Sequence, residues 1–293
     1  MSKEIFNKQI ESLKNKGVKF VCMNEDEAVN YLMQANYFFR IKCYLNNFER
    51  DQDGKYDVDF LVLKELSTID MYLRKWIIST TLDMEHLIKT KIMLAYTVSQ
   101  KDITKEDIIL FLEKYPHIDQ KIKSKMNSSK FEYKRSLFEK YHNEWEIWAL
   151  LEILDIGSLI KLIEYFKIVI DIPSNLLYSF RTIRNAAAHN STLLSNLQYY
   201  PDFKMNKLLR AKLGALLPVE EFKKYIKNPF ITDLLILIYM LGLFKEENTI
   251  KKRTEEFHDL ISNRCVKNTK DFGVSLIEIH HLVTVFFLKI STN

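Results

Sequence analysis

The 293-residue sequence has few glycines and few prolines. It contains six glycines and five prolines, whereas average usage in a chain of this length would give roughly 20 and 15. Strand-rich folds turn often and turns favour these two residues, so their scarcity argues against a β-sandwich or a β-barrel. No Gly-x-Gly-x-x-Gly, Walker or Gly-x-Ser-x-Gly motif occurs, which excludes the common phosphate-cradling loops. We therefore predict an all-α fold.

Cysteines and long apolar runs are scarce too. Cys22, Cys43 and Cys265 are widely spaced and include no Cys-x-x-Cys pair, so we expect neither a disulfide framework nor a zinc finger. The two longest apolar stretches, 231–244 and 276–290, contain charged residues and are typical of buried helices, not of membrane spans. The charged N-terminus does not resemble a secretory signal. These features predict a cytoplasmic protein with no membrane partner.

Composition and charge indicate a globular chain. Apolar residues make up 47% of it and charged residues 28%, values typical of folded proteins. The net charge of +5 is compatible with nucleic acid but does not indicate it. Helical spacing of apolar residues runs through nearly the whole chain, and no linker is evident. We predict a helical bundle over residues 1–200 and additional C-terminal helices over 201–293 packed on the same core; one continuous domain is the alternative.

The segment 181–190 reads Arg-Thr-Ile-Arg-Asn-Ala-Ala-Ala-His-Asn. On a helix from about Ser174 to His189, its core face would consist of Leu176, Phe180, Ile183 and Ala187. Arg181, Asn185 and His189 would then share the opposite face, and the three alanines would let another surface approach closely. Arg184 would point about 140° away from His189 on a straight helix. The two can converge only if the helix is irregular there, or if another helix or a second protomer completes the site.

The order Arg184-Asn185-x-x-x-His189 resembles the Arg-polar-x-x-x-His signature of HEPN domains, helical modules many of which are metal-independent RNases. The surrounding chain resembles the Abi-like (AbiD/AbiF) family of bacterial abortive-infection proteins in four blocks that follow the family order. These are residues 36–44 (Asn-Tyr-Phe-Phe-Arg-Ile-Lys-Cys-Tyr), 69–74 with 85–89, 148–159, and 183–190. The sequence departs from the family pattern at Lys89, where arginine is expected, and at Asp155-Ile156, which replaces Ser-Phe.

The resemblance implies a HEPN-like helical bundle and an endoribonuclease activity that needs no metal and no cofactor. His189 would act as base or acid, and Arg184 would bind the phosphate and stabilise the transition state. Asn185 would orient His189 or hold a phosphate oxygen. The expected products carry a 2′,3′-cyclic phosphate and a 5′-OH. The alternative interpretation of Arg184 and His189 is structural, as a cation and a cap at a helix end.

A single histidine cannot easily serve as base and acid at once. HEPN RNases, by resemblance, bring two motifs together across a two-fold interface, so one motif per chain predicts a homodimer with a composite active site. Arg181 and Asn190 flank the motif and are candidate supporting residues. Glu85 and Glu152 lie on otherwise apolar helical faces, and we expect them to be buried partners of basic residues near the motif.

A basic stretch supplies candidate RNA contacts. Between residues 121 and 135, six basic residues accompany one acidic residue, and lysines that neutralise phosphates dominate RNA affinity. The candidates are Lys121, Lys123, Lys125, Lys130, Lys134 and Arg135. The alternative is a solvated connection between helices. We also place Trp145 and Trp148 in the core, and we interpret Asp70 and Arg74 as a surface or semi-buried ion pair.

Two further pairs have HEPN-like spacing, Arg135-x6-His142 and Arg253-x4-His258. Neither has an asparagine after the arginine, and we assign both to solvated helix faces. Three functions remain open at this point. They are a ribonuclease toxin that acts in anti-phage defence and is held inactive by a small antitoxin RNA, a non-catalytic protein that holds a regulatory small RNA, and a nucleotide-binding or protein-binding adaptor.

Overall fold

The computed structural model describes residues 2–98, 103–126, 134–142, 144–170, 172–197, 200–205, 210–211, 214–215, 227–244 and 247–260. The chain forms two units, of which the first comprises Met1–Thr81 and Thr182–Asn293 and the second comprises Leu82–Arg181. The predicted division at residue 200 stays a prediction, because residues 216–226 and 261–293 lie outside the described part.

The first unit begins with three helices, α1 (Ser2–Lys14), α2 (Glu25–Gln34) and α3 (Phe38–Cys43). A 3₁₀ turn over Tyr44–Asn47 follows α3. Asn24 and Glu27 form a capping box that starts α2, since each side chain accepts a hydrogen bond from the backbone N–H of the other residue. Strands β1 (Val18–Lys19) and β2 (Val58–Asp59) pair in parallel with Val18 opposite Val58.

Helix α4 (Phe60–Val98) contains 39 residues and confirms the long apolar-periodic run seen in the sequence. Its apolar positions recur every three or four residues, as an amphipathic helix requires. Six of these positions are buried in the first unit: Phe60, Leu63, Leu66, Ile69, Leu73 and Ile77. The helix therefore packs through one continuous face, and that same face carries Asp70.

The second unit contains α5 (Lys105–Lys114), α6 (Pro116–Met126), α7 (Arg135–Tyr141), α8 (Ile147–Ile153) and α9 (Ile156–Phe166). Phe111 is an aromatic centre of this unit, with its ring 5.3 Å from that of Tyr115 and 5.5 Å from that of Tyr165. Asp155 caps α9 by accepting a hydrogen bond of 2.9 Å from the N–H of Ser158.

Three further helices complete the fold, α10 (Ser174–Ala188), α11 (Pro229–Leu243) and α12 (Glu247–Leu260). Asn228 and Pro229 start α11 as N-cap and first helical residue. Helix α11 is buried along most of its length and α12 joins α4 through a bond of 2.9 Å from the Trp76 indole to the Arg253 carbonyl. The all-α fold is confirmed, because the described residues contain only one two-residue strand pair. None of the described helices is long and apolar enough to cross a membrane.

Three expectations about individual side chains are wrong. Trp148 is 43% exposed, whereas Trp145 is buried as predicted. Helix α8 buries its other face, so Trp148 and Glu152, four residues apart, both point outward. Arg253 does not lie on a solvated face, because it is buried and pairs with Glu256 at 2.5 Å.

Candidate functional site

The motif helix α10 ends immediately before His189. Its predicted core face is confirmed, since all four members are buried: Leu176, Phe180, Ile183 and Ala187. Asn190 adopts φ +57°, and the backbone N–H groups of Asn190 and Ser191 donate to the carbonyls of Ala187 and Ala186 at 3.1 and 2.9 Å. This is a Schellman motif with Asn190 in the left-handed position. His189 is thereby placed at the helix C-cap, where the chain turns away.

The polar face of α10 is accessible. Arg181 and His189 are exposed, and Arg184 and Asn185 are half-buried. Arg184 Nη1 donates a hydrogen bond of 3.3 Å to Asn185 Oδ1, which leaves the amide nitrogen of Asn185 as a donor. Within the described part of the chain, the His189 imidazole has no hydrogen-bond or ion-pair partner. The helix end therefore presents a guanidinium, an amide and an imidazole to solvent.

The end of α10 bears on whether the side chains of Arg184 and His189 can meet. The helix stops at Ala188, so the straight-helix geometry that separates Arg184 from His189 no longer holds beyond that residue. His189 nevertheless keeps the helical bond from its N–H to the Asn185 carbonyl at 2.9 Å. Among the described residues no hydrogen bond joins Arg184 to His189. Completion of the site by a second copy of the chain therefore stays a prediction.

A buried carboxylate anchors the segment that leaves the motif helix. Asp70 is fully buried, and its Oδ1 accepts hydrogen bonds from the N–H groups of Leu193 and Leu194 at 2.9 and 3.1 Å. Its Oδ2 accepts from the Tyr44 hydroxyl at 2.8 Å and from Arg74 Nη1. The interpretation of Asp70 and Arg74 as a surface or semi-buried pair is therefore wrong, because backbone and side-chain donors replace water around the carboxylate.

Two arginines donate hydrogen bonds to backbone carbonyls of the segment that follows His189. Arg40 Nη2 donates to the Asn190 carbonyl, and Arg74 Nη1 donates to the Ser191 carbonyl at 3.2 Å. Arg40 Nη1 also lies 3.6 Å from Asp70 Oδ2. We call Asp70, Arg40, Arg74 and Tyr44 the anchor cluster. It joins three of the four sequence blocks, since Arg40 of residues 36–44 binds Asn190 of residues 183–190 and also pairs with Asp70 of residues 69–74.

The anchor cluster carries one net positive charge, from two guanidiniums and one carboxylate. Burial raises the pKa of the Asp70 carboxyl above its ordinary value, although Arg74 and the Tyr44 hydroxyl act against this shift. Burial and the neighbouring Asp70 raise the pKa of the Tyr44 hydroxyl, so it stays protonated and donates. The i,i+4 spacing predicted the pair but not its burial. The available signal was the position of Asp70 on the apolar face of α4, next to Ile69 and Leu73.

The supporting residues of the second unit have separate surroundings. Arg181 lies against the first turn of α9, where a Cβ on Gly157 would be 3.1 Å from its Cζ. Glu85 is half-buried and pairs with Lys89 at 3.7 Å, as expected for a carboxylate that needs a basic partner. Glu152 differs, because its side chain is exposed and not buried as predicted. Its supporting role stays a prediction.

The basic stretch is engaged with the protein itself. Lys121 and Lys123 pair with Asp155 and Asp119 at 3.1 and 2.6 Å. Lys125 donates to the Ile153 carbonyl at 2.7 Å and Lys134 to the Glu152 carbonyl, so both satisfy the C-terminal end of α8. Burial lowers the pKa of Lys125. Arg135 is exposed and Lys130 lies outside the described residues. RNA contact by this stretch stays a prediction.

Fold and site together describe a helical bundle with a charged, solvent-facing helix end tied to a buried carboxylate. A comparison with family models matches residues 30–195 to the Abi-like protein family. The match covers more than half of the chain, and the chain belongs to this family. Membership suggests a part in abortive-infection defence. Searches of curated proteins and of solved structures found no match.

Proposed function

We propose that the chain is a metal-independent endoribonuclease of HEPN type that acts as an abortive-infection effector. The observation that carries the proposal is the exposed imidazole of His189 at a helix end, about one turn beyond the hydrogen-bonded pair Arg184 and Asn185. The anchor cluster supports the proposal, because a buried carboxylate and two arginines bind the residues that follow His189. The Schellman motif already satisfies the carbonyls of Ala186 and Ala187, so the helix end does not need these additional bonds for its own stability.

The chemistry follows from the nature of RNA. Its 2′-OH is an internal nucleophile, so cleavage needs a base for that proton, an acid for the 5′-oxygen and a cation for the charge at phosphorus. His189 exchanges the proton, and Arg184 binds two phosphate oxygens and stabilises the transition state. The amide nitrogen of Asn185 donates to a phosphate oxygen. The products carry a 2′,3′-cyclic phosphate and a 5′-OH.

The second proton transfer requires a second group. We propose that two copies of the chain associate with their motif helices face to face, so that one His189 acts as base and the other as acid. Ala188 is exposed and Ala186 half-buried, which leaves room for the other helix. Analytical ultracentrifugation tests this assembly, and a strictly monomeric chain that cleaves RNA would contradict it.

The central test compares RNA ends produced by the wild type and by His189→Ala and Arg184→Ala, in the presence of EDTA. We expect cleavage by the wild type and a loss of about 10²–10⁴-fold in His189→Ala, the usual contribution of acid–base catalysis. Arg184→Ala should lose about 10²–10³-fold, the usual cost of removing a group that stabilises charge in the transition state. His258→Ala is the matched control, because Arg253 and His258 have the same spacing but Arg253 is buried with Glu256.

The outcomes separate the candidate functions. Equal cleavage by the wild type and His189→Ala would refute the proposed mechanism, and cleavage abolished by EDTA would indicate a metal enzyme. RNA that is bound with salt-sensitive affinity but never cut would favour the non-catalytic RNA-binding function. Absence of RNA binding would leave the adaptor.

A further inference from the structure

Two aromatic side chains are exposed in the block that supplies Arg40. Tyr37 is the N-cap residue of α3 and is 54% exposed, and Phe39 in the first turn is 67% exposed. Single exposed apolar residues are common on protein surfaces. Two large rings within three residues, beside a candidate functional site, are a different feature, because adjacent exposed apolar groups mark binding surfaces.

One guanidinium connects Tyr37 to the end of the motif helix. Arg40 Cζ lies 5.6 Å from the centre of the Tyr37 ring, which is a cation–π distance. The same guanidinium donates from Nη2 to the carbonyl of Asn190, the residue that follows His189. One guanidinium therefore contacts both the tyrosine ring and the backbone at the candidate catalytic end of α10.

The tyrosine is held in this position before any ligand arrives. Asn36 Oδ1 accepts a hydrogen bond of 2.9 Å from the Tyr37 N–H, and Asn36 Nδ2 donates to Ser67 Oγ on α4 at 2.6 Å. Arg40 is buried and bound to the anchor cluster, so its guanidinium is a fixed support for the ring. A pre-positioned ring loses little conformational entropy when a ligand stacks on it.

We propose that Tyr37, together with Phe39, forms a stacking subsite for an unpaired RNA base next to the phosphate on which His189 and Arg184 act. The inference rests on the proposed function and states how that site would bind a base of its RNA substrate. Aromatic rings bind single-stranded bases by stacking, independently of sequence, and a nearby positive charge attracts the phosphate between bases. The net positive charge of the anchor cluster lies beside Tyr37, which matches this combination.

The experiment measures binding, not cleavage, in a His189→Ala background. The probe is a single-stranded RNA of about twelve nucleotides with one 2-aminopurine, whose fluorescence is quenched by stacking. We expect Tyr37→Ala to weaken binding by roughly 5- to 150-fold, the range for loss of one stacked base, and to reduce the quench. Phe39→Ala should weaken binding in the same direction, and Tyr37→Phe, which keeps the ring, should bind within a few-fold of the parent.

Val21→Ala is the matched control, because Val21 is 82% exposed in the same unit and its loss should leave RNA affinity unchanged. Unchanged affinity in both Tyr37→Ala and Phe39→Ala would overturn the subsite, even if the wild type cleaves RNA. Loss of self-association in these variants with RNA affinity intact would overturn it too and would assign the rings to a protein interface. A parent that binds no RNA overturns it outright. Weakened binding in a chain that never cleaves would support the subsite and refute only the nuclease.

Discussion

Replacement of Asp70 by alanine is the sharpest test of the anchor cluster. Asp70 is fully buried, and it faces two guanidiniums that are themselves nearly inaccessible, those of Arg40 and Arg74. The substitution removes the only carboxylate of this cluster and the acceptor of two backbone N–H groups. The folded state would then hold two like charges and two unpaired amides away from water.

The magnitude follows from these losses. Breaking a buried ion pair by removing one partner costs about 3–5 kcal/mol, and each buried amide left unpaired adds about 1–3 kcal/mol. Small proteins are stable by only about 5–15 kcal/mol, so Asp70→Ala should be barely folded. Asp70→Asn keeps an acceptor for the amides of Leu193 and Leu194 and should lose less, which provides a variant that folds.

Urea unfolding followed by circular dichroism measures the loss, and hydrogen exchange locates it. The amides of Leu193 and Leu194 should lose protection in Asp70→Asn, because the hydrogen bonds that they donate to the anchor cluster weaken. The matched control is Asp119→Asn, which breaks an i,i+4 pair with Lys123 on a more exposed helix face and should cost about 0.5 kcal/mol. A loss below about 1 kcal/mol in Asp70→Ala would refute the assigned role of the buried carboxylate.

Three further predictions concern single sites. Asn190→Ala should cost about 1–2 kcal/mol in urea unfolding, because alanine resists φ +57°, whereas Asn190→Gly should cost nothing; equal losses would contradict a conformational role. Asp155→Ala should cost about 1 kcal/mol at neutral pH. Burial acts to raise the pKa of Asp155, but hydrogen bonds from the Ser158 N–H and from Lys121 outweigh burial and lower this pKa. The difference in free energy of unfolding between Asp155→Ala and the wild type should therefore vanish as the pH falls through the pKa of the folded carboxyl. A difference that stays constant through this titration would contradict the assigned role. Cys43 is half-buried, and this partial burial raises the pKa of its thiol. Peptide mapping should therefore show iodoacetamide modifying exposed Cys22 first, and the reverse order would contradict the partial burial of Cys43.

The sequence predicted α10 well because all the information is local. Leu176, Phe180 and Ile183 recur at helical spacing, and each is buried as this spacing requires. The placement of Arg184, Asn185 and His189 outside the core follows from the same periodicity. The predictions for Trp148 and Arg253 were wrong because tertiary packing, and not helical periodicity, decided which face of each helix is buried. Trp148 lies on the exposed face of the seven-residue helix α8, and Arg253 is buried on α12.

The basic stretch shows why charge alone could not be interpreted. Six basic residues in fifteen predict a solvated or RNA-binding segment. In the structure, Lys125 and Lys134 donate to carbonyls at the end of α8, which lie 28 and 18 residues away in sequence. Helix ends need donors for their free carbonyls, and sequence spacing does not indicate which lysines provide them.

Helicity, the core face of the motif helix and the four family blocks were determined by the sequence itself, because glycine and proline scarcity and helical periodicity act over neighbouring residues. Tertiary structure alone decided that Asp70 binds the amides of Leu193 and Leu194, 123 and 124 residues later, and that Arg40 binds Asn190. The physical reason is that a buried charge is stable only where distant segments supply its hydrogen bonds. Which segments meet is a property of the packed chain and not of any local pattern.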